Sequence, residues 1–91
     1  MLLAVDVGNS HTTFGVSRGD ALVARWRLAS DAGRTLDEWR LLARELLAER
    51  GMPASSLTGA AVCCVVPALA EVVAALCRAL VGREPLVVAP G

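Results

Sequence analysis

Residues 58–66, TGAAVCCVV, form a run without a single charge. A run of this length suits a strand, and a strand apolar at nearly every position suits a parallel sheet with both faces covered. Parallel neighbours require a crossover connection, usually a helix. The flanking sequence offers one on each side. Upstream, Thr35-Leu36-Asp37-Glu38 has the form of a capping box: the Thr35 hydroxyl can accept from the Glu38 amide while Glu38 reaches back. Leu36, Trp39, Ala43, Leu46 and Leu47 then make one apolar stripe, and Gly51 with Pro53 ends the helix. Downstream, Pro67 suits a first helical turn, and Leu69, Val72, Val73, Leu76 and Leu80 share the inner face of a helix over 68–81 that Gly82 stops. Residues 85–89, PLVVA, read as a last short strand.

The first third of the chain follows a different period. Residues 2–7, LLAVDV, read as a buried strand ended by the turn cluster Gly8-Asn9-Ser10. Residues 12–18, TTFGVSR, read as a second strand, and Gly19-Asp20 as a hairpin turn. Residues 21–30 alternate, with Leu22, Ala24, Trp26 and Leu28 on one face and Val23, Arg25, Arg27 and Ala29 on a wetter one. The order is β-β-β-α-β-α-β. Right-handed crossovers put the fourth and fifth strands beyond the first, so the predicted mixed sheet has the order 3-2-1-4-5. This α/β arrangement is the ribonuclease-H-like architecture shared by the actin, hexokinase and Hsp70 superfamily. Ala89-Pro90-Gly91 reads as the beginning of a loop, which predicts a chain cut at a loop.

Composition removes several function classes. The chain has 91 residues, one small domain at most, and is 55% hydrophobic, which predicts faces in need of partners. Nine basic residues balance nine acidic ones, which argues against electrostatic binding of nucleic acid. Every basic residue is Arg, and without Lys a Walker-type phosphate loop is excluded. No apolar stretch has membrane-spanning length, and residues 1–7 lack the basic lead of a signal peptide. Three cysteines, two of them adjacent, make no disulfide framework and point to a reducing cytoplasm. Cys63 and Cys64 would face opposite sides of a strand, so they cannot chelate one metal; with Cys77 they read as small core residues.

The chemistry concentrates at Asp6-Val7-Gly8-Asn9-Ser10. Gly8 lets the backbone approach a ligand closely and take a left-handed conformation. Successive turn amides, with Asn9 and Ser10 adding short donors, can cradle phosphate oxygens. Asp6 places a carboxylate beside that cradle, where it can hold Mg²⁺ directly or through water. The plainer reading of such a short motif is a hairpin whose Asp caps its own amides. The predicted position between strands one and two of this sheet, where the superfamily binds phosphate, favours the ligand site. Arg25, Arg27 and Arg34 read as a solvated strand face with a loop Arg, and the single His11 as a solvated turn residue.

Four blocks then add a resemblance. MLLAVDVGNSHTTFGV, RWRLASDAGRTLDEW, CCVVPAL and EPLVVAPG, in that order and spacing, resemble type III pantothenate kinases. Members of that family open with a D-x-G-N-T/S phosphate loop, continue with W-R-x-x-T/S-D…R-T-x-D-E-Y/W, then S-V-V-P, then P-L-V-V-G-P-G. The resemblance covers nearly the whole chain. It implies transfer of the ATP γ-phosphoryl group to the hydroxyl of pantothenate, the first step of coenzyme A synthesis. Asp6, Gly8, Asn9 and Ser10 match the phosphate loop, Asp6 would orient hydrated Mg²⁺, and Thr12 and Thr13 are expected at the loop's edge in reach of phosphate. ATP, Mg²⁺ and a monovalent cation, K⁺ or NH₄⁺, are the implied cofactors. The implied assembly is a homodimer in the cytoplasm.

This sequence departs from the family pattern in places. Ser10 keeps the hydroxyl of the commoner Thr, His11 replaces a small polar residue, Cys63 and Cys64 precede V-V-P, Ala68 stands for a second Pro, and Ala89 for a Gly. The family's Gly-Ala-Asp-Arg motif, whose Asp is taken as the catalytic base, is expected beyond Gly91, so no catalytic residue is assigned here. Residues 1–91 are expected to be an N-terminal ATPase-like subdomain, inactive and poorly soluble alone. A ribonuclease-H-like nuclease, with Asp6 and Glu38 as carboxylates, is disfavoured because the fourth strand offers no Asp or Glu. The remaining alternatives are a non-catalytic accessory factor and a gene remnant of the same fold.

Overall fold

Three strands joined by tight turns come first: β1 (Leu2–Val7), β2 (His11–Arg18) and β3 (Ala21–Ala29). Helix α1 (Leu36–Glu49) leads through a 3₁₀ turn at Ala54–Ser56 to β4 (Gly59–Cys64), and α2 (Pro67–Val81) leads to β5 (Leu86–Val88). The structure is a computed structural model that describes residues 1–88. The Ala89 end of the last expected strand, and the loop expected at Ala89-Pro90-Gly91, lie outside the described residues. The five strands form one sheet in the order β3-β2-β1-β4-β5, as predicted. β1 pairs antiparallel with β2 and parallel with β4, so the two pairing modes meet at the central strand.

Both helices pack on one face of this sheet. Both crossovers run in the same direction, from β3 across to β4 and from β4 to β5. Right-handedness therefore puts α1 and α2 on the same side. Leu3, Val5 and Val7 of β1, Phe14 and Val16 of β2, Ala24 of β3 and Val62 of β4 point at them and are buried. From the helices come Trp39, Ala43 and Leu47, then Leu69, Val73, Leu76, Cys77 and Leu80. Trp39 is fully buried, its ring 6.3 Å from that of Phe14. Burial pushes the Cys77 thiol up to about 11, which marks it as an inert core group.

Several sequence expectations change here, for one physical reason. A continuous apolar run reports burial but not which layer provides it, and no described residue covers the second face of this sheet. β1 is therefore buried on one side only, alternating Leu2, Ala4 and Asp6 outward with Leu3, Val5 and Val7 inward. In β4, expected to be buried on both faces, Val62 alone is fully buried. Cys63 lies half-exposed on the open face rather than in the core, whereas Cys64 packs against the core and donates its thiol to the Val66 carbonyl. Leu22 was expected beside Ala24, Trp26 and Leu28. An irregularity between Val16 and Ser17 pairs Ser17 with Leu22 and leaves Val23 as the extra residue. That bulge turns Leu22 to the open face, where it fills the space beside Gly15.

The α1 capping box forms as the sequence predicts. The Thr35 hydroxyl accepts from the Glu38 amide at 3.2 Å, and Glu38 Oε1 accepts from the Thr35 amide at 2.9 Å. These bonds hold the Glu38 carboxyl below its ordinary range. A depressed carboxylate contributes stability above its unfolded value and loses it as pH falls through the folded value. Thr35→Ala is expected to lower unfolding free energy by about 1 kcal/mol at neutral pH. The difference from wild type should shrink as Glu38 protonates; denaturant titrations at neutral and acid pH check both parts.

Candidate active site: the β1–β2 turn

β1 ends at the junction between the antiparallel and parallel halves of the sheet, with β2 on one side and β4 on the other. Such a junction at the carboxyl end of parallel strands is where open α/β sheets leave a crevice. The chain there turns through Gly8-Asn9-Ser10 into β2, and the Gly8 amide donates to the His11 carbonyl at 3.0 Å. Gly8 is not left-handed, contrary to the sequence expectation; the positive-φ glycines are Gly19, Gly51 and Gly82. Its requirement is space: a Cβ on Gly8 would sit 3.1 Å from the His11 carbonyl oxygen. The close approach that excludes a side chain here is to the His11 backbone within the turn itself. The amides of Asn9 and Ser10 have no hydrogen-bond partner among the described residues, and both residues are exposed.

Asp6 is exposed on the open face. Strand register sets a row across the sheet: Arg27 pairs with Thr13, Thr13 with Asp6, Asp6 with Cys63, and Cys63 with Val88. Thr13 is thus the cross-strand neighbour of the carboxylate and shares its face. Asp6 and Thr13 also rim a shallow depression of about 360 Å³, otherwise floored by residues such as Ala4, Gly15 and Ala61. Thr12 points the other way. It is fully buried, and its hydroxyl lies 2.9 Å from that of Ser30. Thr12 therefore stands behind the turn, and Thr13 in front of it.

Ser30, which sequence reasoning did not single out, closes the turn from the end of β3. Its hydroxyl donates to the Gly8 carbonyl at 2.6 Å, and its amide to the Ser10 carbonyl at 2.9 Å. The signal for it was the pairing of the second and third strands, which places a short hydroxyl after β3 next to the turn before β2. Of the three arginines read as a solvated strand face with a loop Arg, Arg25 and Arg27 are exposed on the open face. Arg34 does not join them: its guanidinium donates to the Ala29 carbonyl at 2.9 Å and lies 4.6 Å from the centroid of the Trp39 ring. Glu38, the second carboxylate of the nuclease reading, is committed to the α1 cap. No cluster of three or more His, Cys, Asp or Glu able to hold a metal occurs among the described residues.

A single exposed carboxylate beside free backbone amides fits Mg²⁺ brought with a polyphosphate. This ion keeps several waters, takes few protein carboxylates and completes its shell with phosphate oxygens. It does not fit a dedicated protein cage, which would need more side-chain oxygens.

Comparison with known proteins bears on the fold and the family. A crystal structure from Porphyromonas gingivalis, provisionally named an N-acetylglucosamine kinase, superposes with a TM-score of 0.64 over 98% of this chain and 33% of its own, at 18% identity. That likeness speaks for the fold. A relative from Syntrophotalea carbinolica named type III pantothenate kinase is 43% identical over all 91 residues, and one of the same name from Moorella thermoacetica is 38% identical. The chain spans 36% of the length of each. The profile of type III pantothenate kinases matches residues 2–91. A profile match over that span, with relatives of that name aligned along all 91 residues, means that the chain belongs to the type III pantothenate kinase family.

Proposed function

We propose that residues 1–91 are the N-terminal, ATP-phosphate-binding subdomain of an enzyme that transfers the γ-phosphoryl group of ATP to the hydroxyl of pantothenate. The observation that carries the reading is the pair of unpartnered amides at Asn9 and Ser10 beside the exposed Asp6 carboxylate. Phosphoryl transfer depends on positioning and charge neutralisation more than on covalent chemistry, and this chain has parts for both. The amides and the Ser10 hydroxyl hold phosphate oxygens, and Gly8 keeps the backbone close. Thr13 adds a hydroxyl on the face of Asp6, and Thr12 supports the turn from behind. Asp6 orients hydrated Mg²⁺, which supplies the positive charge that offsets the phosphates.

The base that takes the pantothenate proton, the monovalent-cation site and the dimer contacts have no assigned residue here, and the proposal places them on other polypeptide. Two facts support that division. The relatives are nearly three times as long. The open face of the sheet exposes Leu2, Leu22, Leu86 and Val88, an apolar surface that a stable enzyme covers. No helix of the described residues is long and apolar enough to cross a membrane. A cytoplasmic setting goes with the reading, given three free thiols.

The test is pantothenate-dependent ADP formation. The 91-residue chain alone is expected to give none above a no-enzyme control. A chimera in which these residues replace the matching third of the Syntrophotalea carbinolica relative is expected to turn over. A folded but inactive chimera, or turnover by the chain alone, would overturn the respective half of the proposal.

A further inference from the structure

We infer that Ser30 is the positioning residue of the phosphate loop: it pins two of the loop's peptide planes, one of which carries the free Asn9 amide. The inference rests on the reading of Gly8-Asn9-Ser10 as a phosphate cradle.

Donor bookkeeping sets the polarity of the network. A carbonyl only accepts, so the single Ser30 hydroxyl proton goes to Gly8 O, at 2.6 Å. The proton between Thr12 and Ser30, 2.9 Å apart, must then come from Thr12. The result is a one-way relay, Thr12 O–H to Ser30 Oγ and Ser30 O–H to Gly8 C=O. Its origin is fully buried, so the relay has no competing water at the Thr12 end.

Peptide planarity converts this into ligand geometry. No peptide bond here is cis, and in a trans peptide the carbonyl and the following amide point in opposite directions. Drawing the Gly8 carbonyl toward Ser30 therefore turns the Asn9 amide away from Ser30 and out of the fold. The Ser30 amide holds the Ser10–His11 plane, through the Ser10 carbonyl at 2.9 Å, and so anchors the far end of the turn where β2 begins. Two peptide planes are pinned from one residue, 22 positions away in sequence from Gly8. Without the hydroxyl, the Gly8–Asn9 plane can rotate, and the outward amide is no longer prepared before ligand arrives. Such preorganisation is what raises affinity without adding a contact to the ligand.

The experiment compares wild type, Ser30→Ala and Ser30→Thr in the 91-residue chain, with Mg·ATP as the probe and calorimetry as the readout. Ser30→Ala is expected to weaken Mg·ATP binding about tenfold, and Ser30→Thr, which keeps the hydroxyl, to restore it. Equal affinity in folded Ser30→Ala would overturn the inference. Backbone ¹⁵N order parameters form the second arm: those of Asn9 and Ser10 should fall in Ser30→Ala while strand values hold, and unchanged loop values would overturn it. If wild type does not bind Mg·ATP, the phosphate reading fails for this chain and the order parameters alone decide the role of Ser30. Should Ser30→Ala not fold, Thr12→Val replaces it. Thr12 is buried and cannot touch ligand, so a loss of affinity there supports the relay, and no loss contradicts it.

Discussion

Trp39→Ala is expected to bring the chain close to its unfolding midpoint in dilute buffer at room temperature. Trp39 is fully buried on α1, faces Phe14 across the sheet–helix interface, and lies under the Arg34 guanidinium. Truncating a buried Trp costs about 3–5 kcal/mol, as lost transfer energy plus a cavity. A chain of this length has roughly 5–14 kcal/mol in total, and small domains with one face uncovered sit at the low end. Trp39→Phe separates packing from polarity. The Trp39 indole Nε1–H is buried with no partner among the described residues. Phenylalanine removes that unpaired donor, whose burial costs about 1–3 kcal/mol, and so offsets part of the packing lost with the smaller ring. The expected order of stability is wild type near Trp39→Phe, both far above Trp39→Ala, as read by denaturant unfolding followed through circular dichroism. A Trp39→Ala chain as stable as wild type would mean that α1 does not pack on the sheet as described.

The largest expected effect on ligand binding is at Asp6. Asp6→Asn keeps the shape and one acceptor oxygen but removes the charge that the proposed role in ordering hydrated Mg²⁺ requires. Its side chain is exposed at the end of the central strand, so the substitution leaves the core untouched. The expected result is selective. ATP affinity measured with Mg²⁺ should fall about 10–30-fold, an amount equal to roughly 1.4–2 kcal/mol. Affinity measured in excess chelator should barely change, because the backbone amides remain. Equal losses with and without Mg²⁺ would instead assign Asp6 to the architecture of the turn.

Much of this was legible in the chain itself, because the relevant signals are local. Period-two alternation gave way to helical spacing at Leu36, the Thr35–Glu38 box marked the start of α1, and Gly82 marked the end of α2 in a left-handed conformation. Handedness did the rest, since two crossovers allow few sheet orders. The misreadings share a non-local cause. Leu22 changed face because of a bulge that only the β2–β3 pairing defines. β4 read as doubly buried, and β1 as a buried strand, because apolar composition does not say whether the second layer is present. Gly8 is required by its close packing on the His11 carbonyl and not by a left-handed backbone, two uses of glycine that sequence does not separate. Ser30 was invisible because its role exists only once β3 has brought it back to the turn. Within the candidate site, then, sequence located the turn and its carboxylate, while the structure separated Thr13, on the face of Asp6, from Thr12, buried behind the turn.

The central claim is that the Asp6–Ser10 turn receives the phosphates of ATP. The most direct measurement is a ¹H–¹⁵N titration of the chain with Mg·ATP, repeated with Asp6→Asn. The account predicts saturable shifts centred on the Gly8, Asn9 and Ser10 amides and extending to Thr13, with α1 and α2 nearly silent, and a weaker response in the variant. Shifts centred elsewhere, or a wild-type titration that never leaves the baseline, would contradict it.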